Sequence, residues 1–387
     1  MLFTIVVFVI ILGLLVFVHE LGHFATARKL GVKAEEFGFG FPPRICGWKK
    51  INGKRIFFLG NKDIEHIKSE DTVYSFNWIP LGGFVKIKGE DGENKSDQDS
   101  FAGKKIWKRA VILSAGVFMN VVLCAVCLMI AFSLGAPQVV DGMDTGAVIE
   151  NQKIQVVSLT AFSPAKEAGV NLGDAILKLD DQQITSIEQI QEYVSARDGQ
   201  SIQLTVERYG EELTIAVVPQ MVEEIKNAGL GVGLAETGIV SYPWYKAIWL
   251  GIKGTYFMAV KIIVAFALVI KNAVTGQPLG VDVAGPVGIA VMTGQVARMG
   301  FIYILQFTAL LSLNLAIINF LPFPALDGGR VLFLIIEKIK GSAVNQKVEQ
   351  IVHTIGFVLL MVLIIVVTGR DIYKFKEFFV ELWQKII

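Results

Sequence analysis

The chain is poor in the residues that usually advertise chemistry. Its 387 residues include three cysteines and four histidines. Cys46, Cys124 and Cys127 make no disulfide framework. Cys124 and Cys127 lie three apart in an apolar block, where two small apolar-facing thiols are the simpler reading than a shared metal or redox site. Charge is scarce and balanced: 18% of residues are charged and the net is +1, so no bulk attraction to nucleic acid is implied. From Met1 to Val18 there is no charged residue at all. A secretory leader carries a cation ahead of its apolar run, and none is present here; His19 and Glu20 would also interrupt that run. Ala25-Thr26-Ala27 mimics a cleavage site, but the segment reads as a retained first transmembrane helix.

What the chain has in excess is apolar residues, 53% against about 45–50% in soluble domains. They fall in blocks of spanning length near 2–27, 110–134, 301–321 and 354–368. A fifth block, 246–271, carries Lys253, Lys261 and Lys271 with Trp249 and Tyr256, and Trp244 and Tyr245 just precede it. That mixture suits a helix lying in the interface. The expected fold is a polytopic α-helical membrane protein of four transmembrane helices, with a membrane-associated β-sheet and an inserted extracytoplasmic domain. Its order is a first span in 1–30, a cytoplasmic or re-entrant β region over 31–105 and a second span in 106–135. A soluble module follows at 150–222, then an interfacial helix and linker over 240–298 and a third span in 299–330. A cytoplasmic loop, 331–353, leads to a fourth span in 354–370 and a tail, 371–387.

Basic residues crowd the region between Arg28 and Arg109, whereas Gly135 to Tyr245 is acid-rich. The positive-inside rule puts the first in the cytoplasm and the second outside. Within the outer region, strand-like runs appear at Ile154–Leu159, Ala175–Leu179, Ile202–Arg208 and Leu213–Val218, with a helical stretch near Ile187–Ala196. Ser163-Pro164-Ala165-Lys166-Glu167-Ala168-Gly169 followed by Leu172-Gly173-Asp174 resembles the signature of a protease-associated PDZ domain. Such domains bind peptide termini by strand addition. On the cytoplasmic side, Arg55–Leu59, Thr72–Phe76 and Phe84–Lys88 are strand-like. The last is either an ordinary sheet edge or a strand that dips into the bilayer.

His19-Glu20-Leu21-Gly22-His23 stands at the end of the uncharged first block. Histidines four apart share a helix face and can grip one metal ion, with the adjacent glutamate as general base. Ionisable groups inside a span are costly and mark function. A catalytic zinc commonly takes three protein ligands. His66 and His353 are candidates for the third, but Asp327 is stronger: two prolines break the chain just before it at Pro322 and Pro324, and Gly328-Gly329 follows. With four spans, Asp327 arrives on the same side as His19 and His23; a full crossing by 246–271 would place it a bilayer away. The metal site therefore argues for a flat or re-entrant 246–271.

These motifs together are similar to those of the site-2 proteases, in the bacterial RseP-like branch of intramembrane zinc metalloproteases. The likeness rests on HELGH, IPLGGFVKIKGED, SAGVFMN, one PDZ-like module and NFLPFPALDGG. It implies Zn2+ bound by His19, His23 and Asp327, and catalysis by Glu20. It also implies substrate contact by Asn314, Asn319, Pro322 and Pro324 and by the strand Gly82, Gly83, Phe84, Val85, Lys86 and Ile87. Asn319 equally suits satisfying the backbone that Pro322 frees. The implied location is a bacterial inner or plasma membrane, with the PDZ domain extracytoplasmic and the active site near the cytoplasmic face. The implied partners are transmembrane proteins already trimmed outside, such as anti-sigma factors or signal-peptide remnants, besides peptide termini at the PDZ domain and the lipid bilayer. Two features depart from the family: Val117 stands where a proline is usual, and only one PDZ domain is present. A catalytically silent PDZ scaffold is the rival reading, opposed by an intact set of ligands and base; a metal transporter would need a polar relay that the other spans do not supply.

Overall fold

The structure is a computed structural model describing residues 2–51, 53–60, 71–140, 147–160, 163–208, 210–222, 227–277 and 284–376. His66 and the tail from 377 onward lie outside these residues. The chain divides into two units, Met1–Leu128 with Gly251–Ile387, and Met129–Leu250.

The first unit opens with α1 (Leu2–Lys29), followed by β1 (Ala34–Ile51), β2 (Lys54–Leu59), β3 (Val73–Ile87) and α2 (Ile106–Leu134). An 18-residue strand was not evident in sequence because Gly38, Gly40, Gly47 and the Pro42-Pro43 pair break the pattern of β1. The three strands form one sheet in the order β2-β1-β3. Phe37 of β1 pairs with Tyr74 in one arm of β3 and Val85 in the other, so β1 is flanked by both arms. Among the described residues no strand pairs with the outer edge of Gly83–Ile87. The sheet packs on α1 through Phe17, Phe24, Phe37 and Phe39. The turn of β3 lies against the middle of α1: a Cβ on Gly13 would sit 3.5 Å from the Pro80 carbonyl, and one on Gly82 would meet Val16 at 2.5 Å.

The second unit contains β4 (Ala136–Val139), β5 (Val148–Leu159), α3 (Pro164–Glu167), β6 (Ala175–Leu179), β7 (Gln182–Gln183), α4 (Ile187–Ser195), β8 (Ile202–Arg208), β9 (Glu211–Val217), β10 (Gln220–Val222), β11 (Asn227–Gly229) and β12 (Val232–Ser241). The main sheet runs β4-β12-β5-β6-β8-β9. Strand alternation places Ile202, Leu204 and Val206 in the core with Ile176, Leu179 and Val156. Ser163 and Ser186 cap α3 and α4, each hydroxyl accepting a backbone N–H three residues on. Beneath the sheet, Asp174 is 1% exposed and gripped by Arg208 through two 2.7 Å bonds, with the Asn171 N–H at 2.8 Å.

The remaining helices are α5 (Trp244–Thr275), α6 (Pro286–Met299), α7 (Phe301–Phe320), α8 (Asp327–Lys340) and α9 (Gln346–Lys374). Among the described residues five helices, α1, α2, α5, α7 and α9, are long and apolar enough to cross a membrane. α5 is one unbroken 32-residue helix. Its buried Ala247, Gly251 and Thr255 form one face, while Phe257, Ile263, Val264 and Leu268 are exposed. Its four lysines, Lys246, Lys253, Lys261 and Lys271, are long enough to snorkel, so they do not by themselves exclude insertion.

Helix directions follow from contacts in the first unit. A Cβ on Gly294, just ahead of α7, would meet Thr4 at 2.7 Å, whereas Asp327, just after α7, meets His19 at 3.0 Å. α1 and α7 therefore run the same way. α2 runs against them, since Ala115 touches Gly22 while Leu123 packs with Ile11 and Leu15. α9 also runs against α7: His353 contacts Ala325, and Asp371 accepts the Gly288 N–H.

Candidate metal centre

The local sequence explains why the centre assembles where it does. One helical turn separates His19 from His23, so α1 delivers both imidazoles on one face, and both are buried. Small residues let α2 come close: a Cβ on Gly22 would lie 2.4 Å from the Ala115 carbonyl. On the facing side, a Cβ on Gly116 would lie 2.3 Å from Nε2 of His23 and 2.8 Å from Nε2 of His19. Glycine at 116 is thus the floor of the site, and any side chain there would occupy the space between the two rings.

Asp327 enters from the start of α8. α7 ends at Phe320, and Pro322 and Pro324 hold a short turn before α8 begins. Gly328 and Gly329 fold that turn tightly back: a Cβ on either would lie 2.3 Å from a carbonyl oxygen of the preceding turn. Oδ2 of Asp327 consequently reaches Nε2 of His19 at 3.0 Å and Nε2 of His23 at 3.4 Å, and the two Nε2 atoms are 3.2 Å apart. Ligands on a tetrahedral ion with bonds of about 2.0–2.2 Å are separated by about 3.3–3.5 Å. The three donors already stand close to that spacing. Among the described residues this is the only group of three His, Cys, Asp or Glu side chains arranged to hold a metal.

The outer contacts aim the rings. Nδ1 of His23 lies 2.8 Å from the Ile112 carbonyl, so its proton is held there and Nε2 is left as a lone pair. Nδ1 of His19 lies 3.2 Å from the Asn120 amide, while Oδ1 of Asn120 is buried without a partner among the described residues. Turning that amide over lets Oδ1 accept the His19 Nδ1–H, which frees Nε2 for a metal and removes the orphan. The donor set and its orientation fit a divalent zinc-like cation. Gly116 and Asn120 are one turn apart on α2, within the SAGVFMN segment, but nothing in the sequence reveals their contact with the imidazoles.

Glu20 points to the other side of the site. Its Oε2 accepts the Val85 N–H at 3.2 Å, joining α1 to the outer arm of β3. Of the strand residues implied by resemblance, Gly82, Gly83 and Ile87 are buried, Phe84 and Val85 half-buried, and Lys86 exposed. The strand therefore passes directly beside the carboxylate. Asn314 donates to Leu310 of its own helix at 2.9 Å. Asn319 and Pro324 are half-buried and Pro322 is exposed. His353 is not in the metal cluster; its Nδ1 accepts the Ala325 N–H instead.

The sequence model of peptidase family M50 matches residues 7–60 and 52–363. A candidate zinc metalloprotease of Clostridium acetobutylicum is 34% identical over 371 residues, covering 96% of this chain and 97% of its own. Zinc metalloprotease RasP of Geobacillus kaustophilus is 29% identical over 455 residues, covering 96% and 98%. Among solved structures, the PDZ domain of a Listeria monocytogenes SdrC-like protein covers 21% of this chain at 17% identity with a TM-score of 0.20, too slight a likeness to argue from. With a family model matched over most of its length and a relative one-third identical across nearly the whole of both chains, the chain belongs to peptidase family M50.

Proposed function

We propose that the protein is an intramembrane zinc metalloprotease that hydrolyses peptide bonds within the transmembrane segments of single-span membrane proteins. The observation that carries this reading is the convergence of His19, His23 and Asp327 on one point inside apolar helices, with Glu20 alongside. A zinc ion held by these three supplies a Lewis acid and makes water nucleophilic near neutral pH. Glu20 takes the proton of the attacking water and returns it to the leaving amine. Its hydrogen bond to the Val85 N–H holds the carboxylate at the strand edge, where the scissile bond must lie.

A substrate helix hides its carbonyls in its own hydrogen bonds, and each group left unsatisfied in lipid costs several kcal/mol. The outer edge of Gly83–Ile87, where no strand pairs among the described residues, replaces those bonds when an unwound segment adds as a strand. Asn314, Asn319, Pro322 and Pro324 then line the opposite side. The substrates implied by the family likeness are anti-sigma factors or signal-peptide remnants already trimmed outside the membrane. We read residues 150–222 as a PDZ domain on the extracytoplasmic side, which excludes untrimmed ectodomains and captures peptide termini.

The same proposal takes α1, α2, α7 and α9 as the four spans, in a bacterial plasma or inner membrane, with the metal toward the cytoplasm. α1 and α7 run the same way, so the chain between α2 and α7 crosses an even number of times. If α5 crossed fully, the ten residues 276–285 would have to recross to reach α6, which lies by Thr4 at the start of α1. Fully extended they would reach about 33–36 Å, enough for a hydrocarbon core of about 30 Å, but with every backbone group unpaired in lipid. These considerations support an α5 that inserts without completing a crossing.

The test uses purified full-length protein, a tagged single-span substrate and the Glu20→Gln variant, with zinc measured on each. Loss of cleavage with zinc retained supports the mechanism; undiminished cleavage by Glu20→Gln refutes it.

A further inference from the structure

His353 is the one described histidine without a place in the metal cluster. It lies on α9, and its Nδ1 accepts the N–H of Ala325 at 2.9 Å. Ala325 is two residues ahead of Asp327 and holds φ at +78°, the left-handed region that a residue with a Cβ rarely adopts. In the turn from Leu321 to Leu326, Phe323 donates to Leu321 and Leu326 to Phe323, while Pro324 has no N–H. Ala325 is thus the point in this turn where a side chain, not backbone, satisfies the amide.

A second contact from the same face of α9 reinforces the first. Gly356, three residues on from His353, packs so tightly that a Cβ there would lie 2.4 Å from Cβ of Pro324 and 2.6 Å from its carbonyl oxygen. The His353 ring is itself steadied by Phe333 of α8, with centroids 5.4 Å apart. α9 therefore grips the turn at two successive residues, Pro324 and Ala325, immediately before the carboxylate that faces His19 and His23.

We propose that His353 is a positioning residue: by accepting the Ala325 N–H it holds the Pro322–Leu326 turn in the conformation that delivers Asp327 to the metal. This rests on the reading of Asp327 as a ligand, and it makes α9 part of the metal centre although α9 supplies no ligand. Because His353 acts through the turn, its loss weakens metal binding and slows turnover.

The test is made on the full chain in detergent, with zinc affinity read by competition with a chelator and kcat and KM read on a single-span substrate. His353→Phe keeps the ring but removes the acceptor. It is expected to weaken zinc binding 10- to 100-fold, the range found for lost ligand-orienting contacts, and to lower kcat by more than it raises KM, since Pro322 and Pro324 of the same turn line the substrate. His353→Asn places an oxygen near the position of Nδ1 and is expected to recover most of that loss. Ala325→Gly in the His353→Phe background is also expected to recover it, because glycine adopts a positive φ without the Cβ penalty. Wild-type zinc affinity in His353→Phe overturns the proposal, as does a loss that neither second change repairs. A wild-type chain that binds no zinc overturns the metalloprotease reading and this proposal together.

Discussion

A buried aspartate and a half-buried one show how differently a carboxylate can be accommodated. Asp174, in the second unit, is closed in by Arg208 on both oxygens and by the Asn171 N–H. Its charge is cancelled on the spot, and the group has no valence left for anything else. Asp327, in the first unit, faces Nε2 of both imidazoles, with the His23 proton held on the far side by the Ile112 carbonyl, and its side chain remains 21% exposed. A buried anion needs a compensating cation. Asp174 carries its own cation in the chain, whereas Asp327 is arranged to receive one. The first arrangement holds a fold together, and the second is a site.

That contrast can be broken at either end. The largest effect is expected at Asp327: replacement by Asn should abolish stoichiometric zinc and cleavage, with little change in the unfolding of the rest of the chain. Gly116→Ala tests the same centre through space, since its methyl group would lie 2.3 Å from Nε2 of His23; zinc content near zero is expected, and normal zinc content would show that the rings can move aside. At the other aspartate, Arg208→Met leaves a buried charge unpaired. It should cost about 3–5 kcal/mol of stability in the second unit by denaturant unfolding, yet leave zinc content unchanged. Asn120→Ala should be milder than loss of a ligand, weakening zinc about 10- to 100-fold.

The smallest effect concerns acid stability in the second unit. The Tyr193 hydroxyl and the Gln203 N–H, at 2.6 Å and 2.8 Å, hold the Asp180 carboxyl below the usual carboxylate range. A group whose folded pKa is depressed contributes stability above its unfolded value, about 3.9, and loses it as pH falls through the folded value. Asp180→Asn should therefore be slightly less stable than wild type at pH 7, and the difference should vanish toward pH 2. A constant difference across that range would contradict the assignment.

The grouping of His19, His23 and Asp327 is legible in sequence for physical reasons. Histidines four apart share a face whatever the fold, and an aspartate after a proline-broken apolar helix has few other uses at that depth. Strands with clean alternation were equally plain: Ala175–Leu179 and Ile202–Arg208 are elements with those same bounds. β1 was hidden by its glycines and prolines, and β3 was read as two strands where the chain makes one bent one. α5 was read as a flat helix of 26 residues from its lysines and aromatics, whereas it is an unbroken 32-residue helix that also satisfies the length and apolarity of a span. The contacts of Gly116, Asn120 and His353 could not be read, because each depends on which helices pack together and not on spacing within one.

The most direct measurement is zinc X-ray absorption on the purified full chain, with metal stoichiometry on the same sample. One zinc per chain is expected, with about two imidazole nitrogens and carboxylate or water oxygen at about 2.0–2.2 Å and no sulfur. In Asp327→Asn the stoichiometric site should be lost. Sulfur in the coordination shell, or an unchanged spectrum in Asp327→Asn, would contradict a centre built from His19, His23 and Asp327.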